Sequence, residues 1–96
     1  MKSNVTETVY QRATLSTINS LFALAVASAD VISIRIEYSS KMRLLNVLVF
    51  SENTTHHAHN IVLLDDEKAL EDLLQIEDDL IEQIAQRRDE KEAEAA

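Results

Sequence analysis

VISIRIEYSSKMRLLNVLVF, residues 31–50, is the stretch that decides the fold. Its first eight residues alternate. Ile32, Ile34, Ile36 and Tyr38 fall on one side, and Val31, Ser33, Arg35 and Glu37 on the other. A period of two marks a half-buried β-strand. Ser39, Ser40 and Lys41 make a polar turn, and residues 42–50 a second strand. That strand is apolar on both faces apart from Arg43 and Asn46, which places it at the centre of a sheet. After a turn at residues 51–53, TTHHAHNIVLL (residues 54–64) returns as a third strand, polar in its first half and apolar in its second.

On either side of this meander the period changes to that of a helix. Asn4 caps the first helix, with Glu7 three residues on completing a capping box. Leu15, Ile18, Phe22, Ala25, Val26 and Ala29 recur at helical spacing, and from Leu21 onward apolarity spreads around the whole circumference, which predicts cover of that half from the sheet and from a second helix or subunit. Asp30 marks the exit. Asp65 or Asp66 caps the last helix, whose stripe is Leu70, Leu73, Leu74, Leu80, Ile81 and Ile84. The expectation is a small single α+β domain over residues 1–92, of order α-β-β-β-α: a three-stranded antiparallel meander packed by two helices. Its acidic C-terminal helix covers about residues 66–91, before a frayed tail at 93–96.

Composition narrows the function. Of the chain's 96 residues none is Gly, Pro or Cys. A Gly-rich phosphate loop is therefore excluded, as are a disulfide framework and a thiol nucleophile. Two Phe, two Tyr and no Trp make a poor stacking platform for single-stranded nucleic acid. The run LFALAVA (residues 21–27) imitates a secretory signal core, but it follows twenty mostly polar residues and continues a helical pattern. It reads as buried helix. No run is long enough to span a membrane, and a cytoplasmic location is expected.

The net charge of −8 sits in the last third. Residues 65–96 hold 13 of the 17 acids, and the rest of the chain is close to neutral. On the last helix Glu71, Asp78 and Glu82 share the face opposite the apolar stripe, with Asp72 and Asp79 beside them. The pairs Glu67/Glu71 and Asp78/Glu82 are like charges four residues apart, each costing an isolated helix about 0.2–0.5 kcal/mol. Lys68 is the only base between Asp65 and Gln86. Such a face suits a basic groove and repels phosphates, so direct nucleic-acid binding is not expected. Glu77 falls within the apolar arc, either paired with Arg12, Arg35 or Arg43 or selecting a cationic partner at an interface.

His57 and His59 lie two apart and are the weak candidates for a metal, with Glu37 or Glu52 as a third ligand that no spacing specifies. No cofactor and no catalytic constellation is expected, because the carboxylates share one exposed environment rather than two contrasting ones. In size and charge the chain is similar to small phage and mobile-element proteins that inhibit host machinery, such as anti-CRISPR and other anti-defence proteins. That resemblance implies a small acidic inhibitor that occupies a basic or nucleic-acid-binding protein as a nucleic-acid mimic. Glu71, Asp72, Glu77, Asp78, Asp79 and Glu82 would meet the partner. The alternatives are a homo-oligomeric (dimeric) assembly protein and a metal-responsive protein using His57 and His59.

Overall fold

A computed structural model describes residues 5–50 and 57–95. Their order is α1 (Val5–Ala27), β1 (Ser33–Ser39), β2 (Leu44–Phe50), β3 (His57–Leu63) and α2 (Ala69–Ala95). The Asn4 cap, the turn at 51–53 and the start of the third strand lie outside the described residues. The sheet is an antiparallel meander, β1-β2-β3, with the apolar β2 in the centre as its pattern requires. Its register pairs Ile36 with Val47 and Val47 with Asn60.

The alternation sorts the sheet into two unlike faces. Ile34, Ile36, Leu45, Val47, Val49 and Val62 join Leu21 of α1 and Ala69, Leu73, Ile76 and Leu80 of α2 in one apolar cluster. Both helices therefore cover the same face. The other face carries Ser33, Arg35 and Glu37 on β1, then Leu44, Asn46, Leu48 and Phe50, then Ile61 and Leu63. Leu48 is buried by its neighbours yet lies outside the cluster, and Ile61 and Leu63 are exposed. The Arg35 guanidinium sits 5.7 Å from the centroid of the Phe50 ring. The buried Oδ1 of Asn46 has no hydrogen-bond partner among the described residues.

Four reversals, an even number, separate α1 from α2 across the three strands, so the two helices run parallel, and each end is tied. At one end the Tyr10 hydroxyl donates to the Glu67 carbonyl and accepts from the Leu70 N–H, both at 3.0 Å. There Asp66 caps the entry turn of α2, its Oδ1 accepting the Lys68 N–H at 2.8 Å. At the other end Asp30, in the turn after α1, accepts from Arg88 at 3.0 Å and from Lys91 at 3.4 Å. The Arg88 hydrogen bond, with help from Lys91, holds the Asp30 carboxyl below its ordinary value against a partial loss of hydration. A depressed carboxyl contributes stability that is present above its unfolded pKa and is lost as pH falls through the folded one. We therefore expect the protection factors of amides in the last turns of α2, which correct for the intrinsic pH dependence of exchange, to hold from neutral pH down and to drop only below pH about 4. In Asp30→Asn this acid step should be absent; the same step in the variant would locate its cause elsewhere.

The turn between β1 and β2 shows how a chain without glycine closes a hairpin. Arg43 takes the left-handed conformation, φ 51°, which costs a residue with a Cβ about 1–2 kcal/mol. Its carbonyl accepts the Leu64 N–H, and its Nε donates to Asp65 at 2.7 Å. That ion pair is more than half exposed on both sides, and solvent screening leaves it weak. The strain outweighs it. Arg43→Gly should keep or raise stability, by up to about 1 kcal/mol, as read from the urea midpoint. A clear loss would make the pair with Asp65 the stronger effect.

The helix α1 departs from the pattern reading. Its buried residues are Thr14, Thr17 and Leu21, followed in the exit turn by Ser28, whereas Leu15, Phe22 and Val26 are exposed. Each buried hydroxyl is satisfied four residues back: Thr14 donates to the Tyr10 carbonyl, Thr17 to Ala13 and Ser28 to Leu24, at 2.6–2.9 Å. With its hydroxyls bonded inside the helix, this narrow face can be buried without orphaned polar groups. Of the apolar stripe read from the sequence, Ile18 packs against the core and Ala25 is half-buried, while Leu15, Phe22 and Val26 face outward.

Candidate functional site

The acidic face is built by the geometry of α2. Anchoring Ala69, Leu73, Ile76 and Leu80 in the core turns residues 71, 78 and 82 to the opposite side. Glu71, Asp78 and Glu82 are exposed there. Asp72 and Asp79 are exposed too, but rotated toward β3. They line a shallow cleft of about 290 Å³ with His59, Asn60, Gln75 and Ile76. Asp79 accepts a 3.1 Å hydrogen bond from Gln75 Nε2. The two residues read as lying beside the outer face thus form a second row turned toward β3.

No cation among the described residues lies within ion-pair distance of Glu71, Asp72, Asp78, Asp79 or Glu82. Of the basic residues near the end of α2, Arg88 and Lys91 reach back to Asp30. Glu77 is half-buried beside the core row and has none of its expected partners: Arg43 is held by Asp65 and Arg35 lies against Phe50. Six carboxylates between residues 71 and 82 occupy about 17 Å of helix axis. That is roughly one charge per 3 Å, close to the 3.4 Å spacing of phosphates along one strand of DNA.

Positions 57 and 59 of β3 stand opposite Phe50 and Leu48, and His56 lies outside the described residues. No group of three or more His, Cys, Asp or Glu side chains able to hold a metal ion occurs among the described residues. No described helix is long and apolar enough to cross a membrane.

A second concave feature was not visible in the sequence. Between α1 and the strand ends runs a groove of about 930 Å³, walled by Leu15, Ile18, Phe22, Tyr38, Leu45 and Leu64. Asp65, Asp66 and Glu67 stand at its mouth, beside Arg43 and Tyr10. The signal that points to it was the apolar stripe of α1, whose side of the helix was assigned to the core.

No protein family, no curated protein and no solved structure matches this chain.

Proposed function

We propose that this protein is a non-catalytic binding protein of the inhibitor type. Its acidic α2 face occupies a basic, nucleic-acid-binding surface on another protein, in the manner of a phage- or mobile-element-encoded modulator of host defence acting in the host cytoplasm. The observation that carries this reading is the row of exposed carboxylates on α2 with no cation paired to them among the described residues. A face selected only for helix stability would interleave lysines with glutamates. This one holds its charge free on a helix tied at both ends to a folded body. Fixed charge of this kind speeds encounter with a basic surface and adds little ordering cost on binding.

The test is competition. A basic protein captured by this chain at low salt should be displaced by heparin or by short duplex DNA. Capture that neither polyanion disturbs would remove nucleic-acid mimicry from the account.

A second reading has its own observation. Leu15, Phe22 and Val26 are exposed along one stripe of α1, a cost that self-association would relieve. In that reading the protein is a homo-oligomeric assembly protein, and the acidity keeps the assemblies apart.

A further inference from the structure

We infer that the free edge of β1 pairs with the β1 edge of a second copy of this chain, joining the two meanders into one continuous antiparallel sheet; this rests on the self-association reading above. Among the described residues β1 pairs with β2 alone, in consecutive register from Ser33 to Ser39 without a bulge, and no strand lies along its other edge. Natural edges are guarded by proline, lysine, a bulge or an inward-pointing charge. β1 has none of these. Its core side is also incompletely covered, with Ile34 and Ile36 half-buried and Tyr38 exposed. The opposite edge differs. Asp72 and Asp79 stand across the shallow cleft from His59 and Asn60 of β3, where a second acidic chain is repelled.

Charge selects the occupant of the β1 edge. Arg35 and Glu37 flank Ile36 on the bare side of the sheet, both exposed and neither in an ion pair among the described residues. An antiparallel strand that docks here must set an acid opposite Arg35 and a base opposite Glu37, with an apolar residue between them. β1 read backwards, Glu37-Ile36-Arg35, is such a strand.

Charge also selects the register. A two-fold axis perpendicular to the sheet keeps the core sides of both copies together, and it can pass through Arg35, Ile36 or Glu37. Through Arg35 it sets guanidinium against guanidinium, and through Glu37 carboxylate against carboxylate. Through Ile36 it sets each Arg35 against the partner's Glu37, and it alone lets the whole of β1 overlap its copy. Ile36 then meets its own copy and Ile34 the partner's Tyr38, neighbours that favour a sheet. The acidic helices stay clear of one another. α2 packs over β3, and five strand spacings of about 4.8 Å separate β3 from its copy. That is about 24 Å, or about three Debye lengths at physiological salt.

Sedimentation equilibrium of the full chain tests this. The wild type should dimerise at tens of micromolar or below, roughly. Arg35→Glu sets carboxylates against each other at both pairs, and Glu37→Arg sets guanidinium groups there. Each should weaken the dimer about 10-fold or more. Arg35→Glu combined with Glu37→Arg restores opposite charges at both pairs and should recover the wild-type affinity. The two single variants, mixed, should associate with each other more tightly than either does with itself. Both positions are exposed, so the fold should survive, as far-UV circular dichroism will show. A wild type still monomeric at about 100 µM would overturn the β1 pairing and the self-association reading, and leave the acidic-face reading standing. A dimer indifferent to both single variants, or a double variant as weak as they are, would overturn the β1 pairing alone.

Discussion

Reversing three charges, Glu71→Lys with Asp78→Lys and Glu82→Lys, should cost partner binding about 3 kcal/mol or more, a loss exceeding 100-fold. Each exposed pair a few ångströms apart is worth up to about 1 kcal/mol, and reversal replaces that attraction with an equal repulsion. Screening at physiological salt takes back part of the sum. The fold should hardly respond. All three side chains are exposed and unpaired among the described residues. Reversal at position 71 relieves its repulsion with Glu67 but opposes the helix dipole, while the 78/82 pair stays like-charged. These terms leave stability within about 1 kcal/mol of the parent. Binding of the parent should also weaken steeply with salt, and the residual binding of the variant should not. Equal affinities for the two proteins at low salt would remove the acidic face from the account.

Truncation of the core should have the largest effect on stability. Leu73 and Leu80 are fully buried in the single apolar cluster between the sheet and both helices. Leu73→Ala leaves a cavity within that cluster and should cost about 2–5 kcal/mol. A domain of this length has only about 5–14 kcal/mol in total. The melting temperature should fall by about 8 °C or more, since about 1 kcal/mol corresponds to 4–8 °C at this size. The neighbouring Leu74, 44% exposed, is the control, and its truncation should cost under about 1 kcal/mol. Equal losses at the two positions would mean that α2 is rotated from the orientation described, and the acidic face with it.

The contrast between those two leucines bears on how much the residues disclose before any coordinates exist. The meander was legible because strand alternation leaves little freedom: moving VISIRIEY by one residue would put Arg35 and Glu37 into the core. The α2 stripe was legible in part: charge marks its outer side, and Leu73 and Leu80 are buried as read, but Leu74 and Ile81 are exposed and the buried Ala69 and Ile76 were not in the stripe. The orientation of α1 was not legible. Apolarity spreads around most of its circumference, so hydrophobic pattern alone does not fix the inner side. What fixes it is Thr14, Thr17 and Ser28 returning their hydroxyls to carbonyls four residues back. A buried threonine looks polar in a sequence and behaves as an apolar group once its hydroxyl is bonded within the helix. The groove followed from that orientation and was hidden with it. At the acidic face the individual carboxylates were readable. Their division into an outer row and a row facing β3 depended on which residues of α2 enter the core.

Capture from a host-type lysate at low salt, with mass spectrometry on what a rising salt step releases, tests the central claim most directly. The account predicts that nucleic-acid-binding proteins are retained by the wild type and come off as salt rises. They should be missing from a parallel capture by the triple charge reversal. Recovery of only the chain's own subunits, or of the same proteins on both, would contradict it.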